Sequence, residues 1–578
     1  MGIYSGEKNG LKLTGYTGDR AVLLTFDLSE NQIDRCAGFA IAVTLPGTKP
    51  KPGNDYFLNN RLNFSEGVSA GKPFGPDQWT PSDAAPFQTF HWTHYPSTGP
   101  GRYTYTLSAM YFKNGTTLTR GPSVTVPIDL GPEKSGNLEI GFTRTMVSSQ
   151  AYVNKFKNAA LYPPVQTIDY DTTPYRAQYA WLGAHAREML VGFLETCRSD
   201  PRVTLDVFTF DLDEVDTIRS LCEMGARVRV FQDNSTTHKS PDSTEPDMKS
   251  PGTPKAKKVP VHEVLAVHAL RQAGVEVKTG HFSGLSHNKV MIRHRNSVPE
   301  AVLTGSANFT IRGLYVQANS ILVFEDPAVA GLYAEAFEQA WNAPGKFKTS
   351  AIATGWHDKT VSGSPVSFSF APHKTAFPLD RIADAIRDAK QSVLFAMMQM
   401  SGSGKGINAI TSLPEREDIY SMGIIQKKGE LDLFKPDTGK PNFTTASVAY
   451  LAKDVPPPFN KEISGGSGQV IHHKLVVCDF NGDNPVVFCG SSNLAAGGET
   501  SNSDNLMAIY APDVAVRYAV EAIRLYDHFR FRSMRENSSE TKPLQLKDSD
   551  EWAGTYYDPG SIRYRERLAL IGKKPVSG

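Results

Sequence analysis

Two short runs hold residues able to act on a phosphate. In SHNKVMIRH (residues 286–294) a lysine stands two places after a histidine, and in IHHKLVVCD (471–479) the same step returns and closes on aspartate. Each run otherwise reads as a buried strand. Alternation along a strand puts His287 and Lys289 on one face with Asn288 on the other, and likewise His472 and Lys474 around His473. An imidazole beside an ammonium is costly to bury, and the pair makes sense when an anion sits over it. The apolar runs AVLT and VVFC then end in GSAN (305–308) and GSSN (490–493), where glycine permits a tight turn and Ser306, Asn308, Ser491 and Asn493 supply short polar groups. Two such sets, face to face, would surround a tetrahedral anion. That arrangement suits in-line displacement at phosphorus, with one imidazole attacking and the other protonating the leaving oxygen. The lysines and asparagines would stabilise the equatorial charge.

The sets are copies. His472 lies 185 residues after His287, and the same offset carries Lys289 onto Lys474, Gly305 onto Gly490, Ser306 onto Ser491, Asn308 onto Asn493, Pro327 onto Pro512, Val329 onto Val514 and Tyr333 onto Tyr518 without a gap. Two duplicated units are therefore expected to share one site.

The doubled pattern HxKxxxxD followed by GSxN resembles the phospholipase D superfamily, over roughly residues 175–530. The second copy matches fully through His472, Lys474, Asp479, Gly490, Ser491 and Asn493; the first departs by placing His294 where the pattern has aspartate. The resemblance implies α/β sandwich units around one active site, and a metal-independent phosphodiesterase working through a covalent phosphohistidine resolved by water or an alcohol. No cofactor is expected. His472 and His473 point to opposite faces, which argues against zinc. Position 294 falls on the opposite face from His287, and Asp479 leads into the turn-forming FNGDNP, so both read as structural. Eleven residues past each GSxN asparagine the family commonly has a carboxylate or amide that holds a histidine; here these are Asn319 and Asp504. If each serves its own half, Asp504 makes His472 the better proton donor, and Asn319 leaves His287 the nucleophile. The expected catalytic set is His287, Lys289, Asn308, His472, Lys474, Asn493 and Asp504. Ser306, Ser491 and Asn319 are expected to bind the substrate phosphate.

The supporting elements are legible around these motifs. Leu190, Phe193, Leu194 and Cys197 have helical spacing and precede an apolar run at 207–210; Ile382, Ala383, Ile386 and Ala389 likewise precede 393–398. Alternating helices and strands predict an α/β layer on a mixed or parallel sheet. Residues before about 130 have short alternating runs and turn dipeptides instead. RYTYTLSAMYF, Asn114-Gly115 and TRGPSVTVPI predict a hairpin, and with Trp92 upstream an immunoglobulin-like or fibronectin III-like sandwich. The expected division is a sandwich over 1–150, phospholipase D-like units over 165–350 and 360–540, and a C-terminal tail over 541–578. The Pro- and Ser-rich stretch HKSPDSTEPDMKSPGTPKAKKVP reads as a flexible insertion, and Lys427 and Lys428 as a solvated face. Trp341 and Tyr526, a pair at the 185 offset, read as core packing, and His262, His268 and His528 as ordinary histidines.

With 61 basic and 60 acidic residues in 578, no global field steers the chain to nucleic acid or an anionic membrane. The start MGIYSGEKNG has no signal-peptide or myristoylation pattern, no run of about 18 apolar residues appears, and five scattered cysteines form no CxxC pair. A cytoplasmic protein is expected. Phospholipid head groups are the first substrate expectation, DNA or RNA the second and a non-catalytic scaffold the third. The sandwich is a candidate surface for a protein partner.

Overall fold

Asn114 and Gly115 mark a tight reversal because glycine there adopts φ +53°. On either side the strands Gly101–Asn114 and Thr117–Leu130 pair antiparallel. The computed structural model describes residues 2–48, 55–69, 78–131, 134–145, 149–164, 167–235, 248–249, 259–260, 262–398, 400, 402–425, 444–447 and 470–574. The long hairpin belongs to one of two four-stranded antiparallel sheets, the other running through Ile3–Lys8, Leu11–Thr17, Val22–Leu28 and His91–His94. Leu13, Phe26, Phe39, Ile41, Tyr105 and Leu107 fill the space between them. The N-terminal region is an all-β sandwich.

The α/β units follow the helix signals. Leu190, Phe193, Leu194 and Cys197 are buried on the helix Arg176–Ser199, and Ile382 and Ile386 on Pro378–Asp388. Each unit has an eight-stranded mixed sheet. In the first the order is Lys134–Ser135, Leu138–Phe142, Ser320–Phe324, Val298–Gly305, Val290–Arg295, Val203–Thr209, Val228–Asp233 and Glu276–Gly280. In the second it is His357–Val361, Ser364–Phe370, Asn505–Ile509, Val486–Gly490, Lys474–Cys478, Ser392–Met397, Tyr420–Ile425 and Thr444–Ser447. The orders correspond strand for strand. Trp341 and Tyr526 are buried on the helices Pro327–Asn342 and Pro512–Glu536, which pack on the sheets.

Two expected boundaries are corrected. The strand Leu138–Phe142, assigned to the sandwich, pairs with Ser320–Phe324 in the first unit's sheet, because that strand needs a partner on its outer edge. Within the stretch expected as a C-terminal tail, the segment 541–574 is no tail. Its helix Ile562–Leu570 is buried through Ile562, Leu568 and Ala569, and Tyr16 Oη donates to the Leu570 carbonyl at 2.7 Å. Trp552 Nε1 donates to the Cys36 carbonyl at 2.9 Å, and Tyr556 enters the sandwich core. Charged residues at helical spacing disguised this segment as solvated. The Pro- and Ser-rich insertion lies outside the described residues except for Met248–Lys249 paired with Val259–Pro260; Lys427 and Lys428 lie outside them altogether.

Candidate active site

The strands holding the His-x-Lys runs begin later than the alternation suggested. Ordered sheet pairing starts at Val290 and Lys474, so His287 and His472 precede it in extended backbone. Extended backbone needs partners for its amides. The opposite unit supplies them: Ser286 forms a parallel bridge with Ser503, and Ala318 one with Ile471. The His287 amide donates to the Ser503 carbonyl at 2.8 Å and the His472 amide to the Ala318 carbonyl at 3.1 Å. Ser286 and Ile471, like Ala318 and Ser503, are 185 residues apart, so the contacts are one contact made twice about a pseudo-twofold axis. Asn288 closes that seam, donating to Ser503 Oγ at 2.7 Å and accepting from Asn505 Nδ2 at 2.8 Å.

The bridges decide which side chain holds which histidine. His287 Nδ1 lies 2.8 Å from Asp504 Oδ1, and His472 Nδ1 lies 2.8 Å from Asn319 Oδ1. The expected own-half pairing of His472 with Asp504 and His287 with Asn319 is therefore overturned. Each partner directly follows a bridge residue or lies next to one, and the bridge runs across the axis. Pairing through Nδ1 turns the other ring nitrogen, Nε2, away from the partner.

A second correction concerns Ser306, Ser491 and Asn319, expected on the phosphate. Ser306 Oγ donates to Asn319 Oδ1 at 2.8 Å and Ser491 Oγ to Asp504 Oδ1 at 2.7 Å. Both hydroxyls also accept the amide of the following strand, and Asn319 Nδ2 donates to the Gly313 carbonyl. Their polar atoms are committed one layer behind the histidines, where they fix Asn319 and Asp504. The glycines before them are obligatory. Gly305 and Gly490 have φ +146° and +144°, and a Cβ would meet the Ser320 and Asn505 carbonyl oxygens at 2.2 and 2.4 Å.

The site is buried and crowded with cationic groups. Both histidines are 4% exposed, Lys289 1% and Lys474 2%. Lys289 Nζ donates to the His287 carbonyl, and Lys474 Nζ to the His472 carbonyl at 2.8 Å. Among the described residues neither lysine has a carboxylate within ion-pair distance. Burial pushes Lys289 down to about 8 and holds Lys474 well below the ordinary lysine range, where the Lys289 charge adds to the effect. Burial also lowers both imidazoles. For His287, Lys289 lowers it further and Asp504 opposes; His472, with no carboxylate behind it, lies lower still under Lys474 and Lys289. Asp504 stays below the usual carboxylate range, because His287 and Lys289 outweigh its burial. An anion would relieve this crowding.

Several neighbours carry no sequence signal of their own. Phe210 sets its ring 5.0 Å from that of His287, edge-on, with Lys289 Nζ 5.1 Å from the ring centre. Asn308 Nδ2 donates to Asp211 Oδ2 at 2.6 Å. The side-chain Oδ1 atoms of Asn308 and Asn493 are buried with no donor among the described residues.

Asp479 and His294 stand away from this cluster. The strand Lys474–Cys478 stops at the turn, and Asp479 there, at φ +51°, accepts from the amides of Lys390, Gln391 and Ser392. In the first unit the strand runs on to Arg295, so position 294 falls inside the sheet, where His294 Nε2 lies 2.8 Å from Asp206. The corresponding turn is held locally, by Asp200 accepting from the Arg202 amide. Asp479→Ala is expected to cost about 2–3 kcal/mol of stability. Urea unfolding beside turnover of the folded protein checks this: lost turnover at unchanged stability would place Asp479 in the chemistry.

A family profile described as cardiolipin synthase, PLD-like domain, matches residues 194–341, the body of the first unit. This match supports placing the first unit in the phospholipase D superfamily. The second phospholipase D-like unit is tied to the first by the 185-residue offset and the shared strand order. Mitochondrial cardiolipin hydrolase of Xenopus tropicalis is 28% identical over 145 residues, 25% of this chain and 56% of its own. Its Xenopus laevis counterpart is 29% identical over 154 residues, 26% of this chain and 59% of its own. The chain thus spans somewhat over half the length of these relatives. Among solved structures, phosphatidylserine synthase of Haemophilus influenzae is 12% identical, with 67% of this chain and 93% of that one covered at a TM-score of 0.37.

Proposed function

We propose that this chain is a phosphodiester hydrolase of phospholipase D type that forms a covalent phosphohistidine, with phospholipid as substrate. The observation that carries the proposal is the crossed pair His287–Asp504 and His472–Asn319, set beside two buried lysines with no carboxylate in ion-pair distance among the described residues. His287 Nε2 attacks phosphorus as the bond to the leaving oxygen breaks. The attacked ring becomes positive, and Asp504 offsets that charge, so the carboxylate-backed histidine is the nucleophile. His472 is the stronger acid of the two once protonated, and delivers its proton to the leaving oxygen. Neutral again, it takes a proton from water, whose oxygen attacks the phosphohistidine and frees His287. Lys289 and Lys474 stabilise the equatorial oxygens. The nucleophile is the one expected from the sequence, for the opposite electrostatic reason.

Phospholipid is favoured over nucleic acid by the near-neutral net charge and by the names of the cardiolipin hydrolase relatives. The test is incubation, with EDTA present, with vesicles of phosphatidylcholine or cardiolipin and separately with single- and double-stranded DNA and RNA. Phosphatidic acid or a released head group is expected. Cleaved polynucleotide with intact vesicles would move the substrate to nucleic acid, and no cleavage of either would remove the hydrolase.

A further inference from the structure

Equivalence between the units gives an internal control, since whatever the second site has and the first lacks needs a reason of its own. The GSSN turn of the second unit contains Ser492, and the helix Ala496–Ser501 behind it contains Glu499; the first unit has Ala307 and Leu314 at the same offset. An apolar pair has become a buried polar one. Glu499 is 1% exposed, and among the described residues no lysine or arginine lies within ion-pair distance of it.

The contacts of Glu499 all suit an uncharged carboxyl group. Ser492 Oγ donates to Oε1, and the same hydroxyl accepts the Leu494 amide at 3.1 Å, which closes the turn around Asn493. Oε2 has no hydrogen-bond donor and lies 3.5 Å from His373 Nε2. His373 Nδ1 faces the Ala353 carbonyl at 2.7 Å, so the ring presents a lone pair at Nε2, with Ser369 Oγ 3.1 Å away. The His373 amide donates to the Glu499 carbonyl, and two residues earlier the Ala371 amide donates to the Asp504 carbonyl. The segment thus ties the carboxyl to the residue behind His287. A carboxylic acid can donate from Oε2 to His373 while accepting Ser492 at Oε1. A carboxylate would leave Oε2 facing a lone pair, with Asp504 as a nearby like charge.

We propose that Glu499 is a positioning residue that works as a neutral acid, holding the Gly490–Asn493 turn against the site and releasing it on losing its proton. The charged and titratable groups facing it are His373 from the segment after Ser364–Phe370 and Asp504 from the start of the next strand; Ser492 and Ser369 are its hydroxyl neighbours. Burial, with Asp504 adding and Ser492 opposing, pushes Glu499 up to about 8, and burial pushes His373 down to about 4, so both are neutral near neutral pH. For a carboxyl raised above its ordinary value, the preference for the closed turn is complete below that ordinary value and lost as pH climbs through the raised one.

The activity readout rests on the phosphodiesterase proposal; unfolding does not. Glu499→Gln keeps a donor and an acceptor without charge. At about pH 4.5 it should match the wild type in melting temperature, and at about pH 6 in kcat to within about threefold. From there to about pH 8 the wild type should lose melting temperature while the variant holds it, and above about pH 8 the wild type's kcat should fall more steeply than the variant's, which keeps only the fall that Lys289 imposes. Glu499→Leu should raise KM less than it lowers kcat, since the turn carries Asn493 and not the substrate's distal contacts. Superimposable unfolding profiles against pH for wild type and Glu499→Gln would overturn the inference whatever the substrate. So would a folded Glu499→Gln that is inactive at every pH.

Discussion

His287→Ala and His472→Ala should each lower kcat/KM by about four orders of magnitude or more, since each removes a group that makes or breaks a bond at phosphorus. Neither change should unfold the protein. Both rings are buried among lysines, where charge is unfavourable, so the melting temperature should hold to within about 5 °C or rise. The two variants should differ in which half-reaction survives. An aryl phosphodiester needs no proton on its leaving oxygen. Its arylate should therefore still leave His472→Ala as a burst of one equivalent, with phosphate held on His287, whereas His287→Ala should give no burst. Phosphate trapped on His472 would exchange the assigned roles, and undiminished turnover in either variant would dismiss the chemistry altogether.

The second large effect comes from a residue that never touches the substrate. Asp504→Ala should lower kcat by about two to four orders of magnitude, because the carboxylate fixes the His287 tautomer and offsets the charge its ring acquires. Asp504→Asn should do no better: its amide can turn a donor towards Nδ1 and favour the ring form whose Nε2 carries the proton and cannot attack. Asn319→Ala, behind His472, should cost less, as an amide supplies orientation without charge. Burst kinetics with an aryl substrate locate the defect. Asp504→Ala should slow formation of the phosphoenzyme. A normal burst followed by slow turnover would mean that the 2.8 Å contact between Asp504 and His287 is structural.

Much of the site follows from residue type and spacing. The 185-residue offset established a duplication, and the His-x-Lys and Gly-Ser-x-Asn steps named the groups that would share an anion; the structure buries both His-Lys pairs close enough for each to bear on the other's charge. The helix bearing Leu190 to Cys197 and the hairpin at Asn114-Gly115 were equally legible, because each depends on contacts between near neighbours in the chain. Other features had no local signature. LEIGF alternates in a way that suits an edge strand of either sheet, and only the open flank of Ser320–Phe324 claims it. IRYRERLAL looks solvated until Tyr16 and the sandwich cover its apolar side. Glu499 is one carboxylate among many until burial leaves it with a serine and a neutral imidazole for company.

The crossed histidine partners show where the division lies. A constant offset says which residues are equivalent, and pairing within a unit or between units satisfies it equally well. The sequence by itself determined that two alike modules exist and which side chains each contributes, since side-chain alternation and turn chemistry act over a few residues. Tertiary structure decided that Asp504 backs His287 and Asn319 backs His472. Among the described residues the extended backbones at 286–287 and 471–472 pair with no strand of their own unit, and the partners they take across the pseudo-twofold axis bring those side chains with them.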